Sequence, residues 1–377
     1  MSLLAATSRH LDRLDLAPPA VLVDERRARA NLAAMAARAA ASDVGFRPHF
    51  KTHDNVGVGR WFREAGVRRI TVSSLAMAER FARDGWVDQT VAVLVDPREL
   101  PRLGDLAGRL AARGGALGLV VDTPEVARAA RAAAGQGLLL WLKVDTGYGR
   151  SGAHWDDATR LRAVAHAAPL RGLLTHAGHS YRTPLAELPA LFTETARRLA
   201  AAREAIGDAA LLLSVGDTPT CATVGRFEGV DEVRPGNFLF FDLMQRQAGV
   251  CGDRDVALAL ACGVIGLDAA GGRIVLHAGA VHLAKEAVAT PGGPVYGCLA
   301  TAAADGLDAL VPEAAVTALT QEHAVVTLPP GRWDALAAGL APGDRVLVVP
   351  AHSCLTCHQH RSFTTFAGQG LPRDVVA

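Results

Sequence analysis

From residue 20 to residue 240 the chain alternates short apolar runs with longer segments rich in Ala, Arg and Leu. The runs are AVLVD (20–24), VGFRPHF (44–50), RITVSS (69–74), TVAVLVD (90–96), ALGLVVD (116–122), LLLWLKVD (138–145), LRGLLTHAG (170–178), LLLSVGD (211–217) and EVRPGNFLF (232–240). They have the length and β-branched content of strands. The segments between them, such as ERRARANLAAMAARAAA and LPALFTETARRLAAAREAI, place apolar residues at helical spacing. Strands alternating with helices predict parallel pairing through right-handed crossovers. Eight or nine such units in about 220 residues predict a (β/α)8 TIM barrel. An open doubly wound sheet is the alternative, but no G-x-G-x-x-G follows an early strand.

After about residue 250 the rhythm changes. VALALACGVIGLD, GRIVLHAGAVHLA, AAVTALTQEHAVVTL and GDRVLVVPAHSC are strand-like runs divided by Gly and Pro turns, and only GRWDALAAGL offers a short helix. A C-terminal antiparallel β domain is expected here. The predicted division is a barrel over 18–250 and a β domain built from 1–17 plus 251–377. The tail HQHRSFTTFAGQG is expected to lack long closing strands.

Composition narrows the function classes. The chain has 377 residues, 50% of them hydrophobic, and a formal net charge of +1. A sizeable core is available, and no electrostatic case exists for nucleic acid or an anionic membrane as partner. No apolar run approaches the ~20 residues of a membrane-spanning helix. The N-terminus lacks a basic stretch followed by a long apolar one, and the six cysteines are scattered. Both features fit a cytoplasmic protein better than a disulfide framework.

Polar residues gather where runs end, as functional groups do in a barrel. Lysine is scarce: only Lys51, Lys143 and Lys285 occur. Lys51 stands in RPHFKTH between His49 and His53. Desolvated in a barrel mouth beside other cations, its amine is expected to lose basicity and to form an imine with a carbonyl. By itself the residue also reads as a loop lysine. VGDTPT (215–220) and RPGNF (234–238) are Gly-containing turns whose backbone N–H groups suit a phosphate, or are ordinary βα turns. An imine-forming lysine with phosphate cups points to pyridoxal 5′-phosphate (PLP).

The motifs PPAVLVD, RPHFKTH, VDTGYGRSG, THAGHSY, GDTPT, EVRPGNFLFFD, QEH and PAHSC, in that order over about residues 17–357, resemble the D-serine dehydratase / D-threonine aldolase family, PLP enzymes with the alanine-racemase-like fold. The resemblance implies a PLP-bearing barrel, a C-terminal β domain, and a homodimer whose active sites borrow residues from the partner. It implies that Lys51 is the Schiff-base lysine, that Arg150 lies near the cofactor ring hydroxyl, and that Lys143 supports that arginine or closes a strand. It places His179 and Tyr181 close to the cofactor, as catalytic candidates, and Thr218, Gly236 and Asn237 at phosphate-binding positions. Glu322 and His323 of QEH match a position near the active site. Asp54 departs from the pattern, standing where relatives often carry a lysine.

The run before His352 and Cys354 is strand-like, so i and i+2 are expected to face one volume, with Ser353 turned away. One imidazole and one thiolate make an open half-site for zinc, or for Mn, Mg or Co. Alone, H-x-C says little; in the family this pair holds a divalent metal. Dehydratases there carry H-x-C and aldolases tend to carry H-x-D, so Cys354 favours dehydration. C-L-T-C-H (354–358) spells a c-type haem pattern, which the absence of an export signal opposes. Cys357, His358 and His360 read as loop features or extra ligands, and His277 and His282 as core or interface histidines.

The expected activity is PLP- and metal-dependent loss of water from a D-3-hydroxy amino acid, giving a 2-oxo acid and ammonia. Retro-aldol cleavage to glycine and an aldehyde is the near alternative. A metal-free racemase and a non-catalytic PLP-binding protein are the further ones.

Overall fold

The computed structural model describes residues 2–133 and 137–375. The chain forms two compact units. One comprises Ala33–Lys51, Gly59–Gly236 and Asp374–Ala377; the other comprises Met1–Leu32, Thr52–Val58 and Asn237–Arg373.

The first unit is the expected barrel. Its strands are β1 (Gly45–Phe46), β2 (Arg69–Val72), β3 (Asp88–Leu94), β4 (Ala116–Val121), β5 (Leu138–Asp145), β6 (Gly172–Leu174), β7 (Leu212–Val215) and β8 (Glu232–Val233). All neighbours pair in parallel, β2 through β8 in chain order and β8 with β1. A single bridge from His49 to Thr71 brings the chain after β1 against β2, so the ring nearly closes. Strands buried on both faces need continuous Val, Leu and Ile, and β4 and β5 supply them in LGLVV and LLLWL. Trp141 fills the interior beside Val120 and Leu174. Gly118 makes room for it: a Cβ there would stand 3.0 Å from the indole nitrogen.

Charge is also held inside this unit. Arg47 donates to Glu232 at 2.7 Å and to Asp88 at 2.6 Å. Ser214 donates to the other oxygen of Glu232 at 2.7 Å and accepts from Arg234 Nε at 2.8 Å. The buried Arg47 and Arg234 guanidinium groups are thereby matched by hydrogen bonds as well as by opposite charge.

The second unit is built on a nine-stranded sheet. Leu258–Asp268, Arg273–His277, His323–Thr327, Gly306–Leu319, Gly297–Ala303 and Arg345–Pro350 form a closed antiparallel ring, because the first pairs with both the second and the last. Ala20–Val23, Ser362–Thr365 and Gly370–Pro372 extend it, with Ala20–Val23 antiparallel to Leu258–Asp268 and parallel to Ser362–Thr365.

Two expectations are thus corrected. AVLVD (20–24), counted with the barrel strands, belongs to the antiparallel sheet. Asp24 and Arg27 show why: Arg27 donates to the carbonyls of Asp253, Val256, Leu307 and Asp308, and Asp24 accepts from Leu307 N–H at 3.1 Å. A buried guanidinium with these acceptors ties residues 20–32 to that sheet. The tail also closes more than expected, since Phe363–Thr365 pairs with Val21–Val23.

Candidate active site

In the barrel unit, a cavity of about 320 Å³ opens where the strands end. His49 and Lys51 follow β1, Ser73 follows β2, Lys143 ends β5 with Arg150 beyond it, His176 follows β6, and Gly216 and Arg234 follow β7 and β8. This is the C-terminal face of a parallel barrel, where catalytic groups collect. Lys51 reaches its place because Phe50 is anchored. The Phe50 ring packs 4.8 Å from Phe62, 4.9 Å from Phe81 and 5.1 Å from Trp86.

The electrostatics depart from expectation in one respect. Lys51 is exposed; the desolvated lysine is Lys143. Burial first, then the positive charges of Arg234 and Arg150, push the Lys143 amine down to about 7. Gly152 lets the chain cross it: its φ is +109°, and a Cβ there would meet Lys143 Cγ at 2.8 Å. His176 is pushed down to about 3, mainly by burial. Its Nδ1 lies 2.6 Å from the Gly216 carbonyl, which can only accept, so Nδ1 carries the proton and Nε2 keeps its lone pair.

The TGYGR loop is shaped by Asp145. Its carboxylate accepts from the N–H groups of Gly147 and Tyr148 at 2.9 Å and of Gly149 at 2.9 and 3.1 Å. This sets Arg150 at the rim, its guanidinium 5.5 Å from the centre of the Tyr148 ring. His179, Tyr181 and Thr218 stand one layer behind the lining. The His179 ring stacks on Tyr148 at 6.1 Å, and its Nδ1 is buried without a hydrogen-bond partner. Thr218 N–H points to the Tyr181 hydroxyl at 3.5 Å. Gly236 closes the loop two residues beyond Arg234.

In the sheet unit, His352 and Cys354 come together by a different route than expected. His352 is the extended N-cap of the helix Ser353–Gln359, and Cys354 lies in its first turn rather than on a strand. Ser353 is not turned to solvent; it is buried, and its N–H donates to Asp242 at 3.0 Å. His358 lies on this helix, not in an open loop. Burial opposes charge on both His352 and Cys354, and their mutual attraction overrides it. The thiol is held below its ordinary range, and the imidazole is raised to about 11 by Cys354 and Glu286.

Asn237, expected at a phosphate, directs its side chain here. Its Nδ2 meets Asp242 at 2.7 Å and Cys354 Sγ at 3.4 Å, and its buried Oδ1 has no hydrogen-bond partner. Thr52, the residue after Lys51, places its hydroxyl 3.6 Å from Cys354 Sγ. Asp54, the departure from the family pattern, is buried in an ion pair with Arg373. His277 and His282 are neither core residues: His277 is exposed, and the rings of His277, His282 and His360 follow one another at 5.9 and 6.0 Å.

Residues 23–243 match the model of the alanine racemase N-terminal domain, and residues 257–366 match that of the serine dehydratase domain. The chain is 35% identical over 370 residues to D-threo-3-hydroxyaspartate dehydratase of Delftia sp. (strain HT23), covering 95% of this chain and 96% of that one. The chain belongs to the alanine-racemase-like serine dehydratase family. The solved structure of the Delftia enzyme superposes with a TM-score of 0.84 at 33% identity, over 96% of this chain and 99% of that one. D-serine dehydratase of Dictyostelium discoideum is 25% identical, covering 72% of this chain and 75% of that one. The expected fold and the expected enzyme class, a lyase of the dehydratase branch, are both borne out.

The family implies PLP and a divalent metal, and the residues fit both. The barrel cavity joins a rim lysine to buried cations, with no carboxylate in its lining. His352 and Cys354 form a nitrogen–sulfur pair whose imidazole is backed by Glu286. Among the described residues no group of three or more His, Cys, Asp or Glu side chains is arranged to hold a metal. Sequence reasoning places His176 and Arg234 at strand ends without giving either a role, and misses Glu286. The folded chain adds the contact of His176 with the Gly216 carbonyl and of Glu286 with His352.

Proposed function

We propose that this enzyme eliminates water from D-3-hydroxy amino acids bearing an acidic side chain, of the 3-hydroxyaspartate type, and releases a 2-oxo acid and ammonia. One observation carries the reading: the barrel cavity is lined by Lys51, Lys143, Arg150 and Arg234 and by no carboxylate. Such a lining suits a phosphate together with a dicarboxylate. When bound, PLP supplies an electron sink and a divalent metal supplies Lewis-acid activation of a hydroxyl.

The chain's own residues do the rest. Lys51 Nζ would hold the cofactor, and its amine is the base for the proton on the substrate Cα. Arg150 and Arg234 neutralise anionic groups, and the turn Gly216–Thr218 offers backbone N–H donors to phosphate. His176 presents an Nε2 lone pair as acceptor. Tyr181 acts from the second layer through Thr218 N–H, and His179 by stacking on Tyr148. His352 and Cys354 hold the metal, zinc first by their nitrogen–sulfur chemistry. A cysteine-to-alanine variant of D-threo-3-hydroxyaspartate dehydratase was solved in a metal-free form.

The working form is a homodimer, as the family implies, and six unpaired cysteines support a reducing cytoplasm. Among the described residues no helix is long and apolar enough to cross a membrane.

The test is product analysis. The purified enzyme with PLP and Zn(II) is offered D-threo-3-hydroxyaspartate, D-serine and D-threonine, with and without chelator. Ammonia from the dicarboxylate above the others, lost on chelation, is expected. Glycine and an aldehyde without ammonia would establish the aldolase instead. Light scattering checks the dimer.

A further inference from the structure

His352 has a carboxylate behind it. Glu286 Oε2 contacts His352 Nδ1. A carboxylate accepts and does not donate, so the contact keeps a proton on Nδ1 and makes Nε2 the nitrogen that gives up its proton to a metal. That tautomer is the one a metal ligand needs, and carboxylate–histidine–metal chains are a recurrent way to set it. Asp242, the other acid of the cluster, is engaged elsewhere: it accepts from Asn237 Nδ2, Ser353 N–H and Gln245 N–H. Glu286 has no comparable structural duty, and its side chain is 44% exposed while that of His352 is 23% exposed.

A second observation concerns the segment that delivers Glu286. Two residues earlier, Ala284 has φ +65° and ψ +172°, a region otherwise almost confined to glycine. Ala284 is buried, and its N–H donates to the Ala280 carbonyl at 3.0 Å. The chain leaves the short helix Ala280–Leu283 through this strained residue and enters the strand Val288–Thr290 with Glu286 against His352. Strain of this kind persists where the surroundings over-determine it, and it clusters at functional sites.

We propose that Glu286 is a positioning residue: through Nδ1 it fixes the tautomer and ring orientation of His352, so that Nε2 is presented to the divalent metal. The inference rests on the metal-dependent reading above. It concerns metal affinity, which is measured without turnover.

The experiment titrates the PLP-loaded enzyme with Zn(II) against a chromophoric chelator, and separately with Co(II) to follow the thiolate-to-cobalt absorption. Glu286→Gln is expected to weaken Zn(II) binding by about 10- to 100-fold. The cobalt–thiolate band should persist at saturating Co(II), because Cys354 still ligates. Glu286→Asp should recover part of the lost affinity, which a merely structural role would not predict. Cys354→Ala should abolish the band. Should Glu286→Ala melt early, the near-isosteric Glu286→Gln carries the decision. Zn(II) affinity of Glu286→Gln within about threefold of wild type overturns the inference and leaves the metal site standing. A wild-type enzyme that binds neither ion overturns the metal site and the inference together.

Discussion

The barrel cavity and the His352–Cys354 cluster solve the same problem, holding charge away from water, in opposite ways. The cavity is assembled from seven strand ends and carries one sign of charge. Burial first, then the neighbouring Arg234 and Arg150, push Lys143 down to about 7 there. The cluster comes from one helix start and pairs opposite charges, so its imidazole rises to about 11. The first environment disfavours protonation and leaves lone pairs and room for anions. The second favours a thiolate beside an imidazolium. Same-sign crowding suits anions, and a soft nitrogen–sulfur pair suits a cation.

Substitutions can break this contrast, and the largest effect should fall on the cavity. Lys51→Ala is expected to lose the yellow absorbance of lysine-bound cofactor and to lower ammonia release by at least ~10³-fold, the scale of a lost acid–base group. A spectrum and steady-state assay check it. In the cluster, His352→Ala or Cys354→Ala should abolish bound metal by elemental analysis. Ammonia release should fall by about 10²- to 10³-fold, as expected for several kcal/mol of Lewis-acid stabilisation, while the lysine-bound cofactor absorbance stays. A loss of that absorbance in either variant would show that the two sites are not separable.

Lys143 sharpens the contrast through pH. Its folded pKa lies below the unfolded value, so the unfolded chain binds more protons between pH 7 and 10.5. Stability should therefore rise with pH across that window. Lys143→Met should be more stable than wild type at pH 6, by about 1–3 kcal/mol after allowance for relaxation. The difference should shrink as pH approaches 10.5, as read from urea unfolding at both ends. The smallest effect is expected from Gly152→Ala, which places a Cβ against Lys143 at a φ of +109°. A destabilisation of about 1–2 kcal/mol, measured by urea unfolding at pH 7, would confirm the packing.

Much of the molecule was legible along the chain. The βα rhythm predicted the barrel because parallel strands buried on both faces are written as continuous apolar runs, which LLLWL and ALGLVV are. AVLVD was misassigned for the same reason: a buried strand of the antiparallel sheet has the same local pattern, and its partners lie more than 200 residues away. His352 and Cys354 were recognised as a pair while the element under them was misread. The run before them looks like a strand and ends as one at Pro350, and a helix begins at Ser353. Asn237 followed the phosphate pattern of its motif, yet its side chain turned to Asp242 and Cys354, contacts that no local spacing encodes.

Local sequence determined the βα rhythm of the barrel, the strand-rich second half and the closeness of His352 to Cys354, since periodicity and short spacings act over a few residues. Tertiary structure alone decided which lysine is desolvated, which carboxylate backs His352, and which sheet receives residues 20–23. Burial and electrostatic pairing depend on groups far apart in the chain, and only the folded backbone sets those distances.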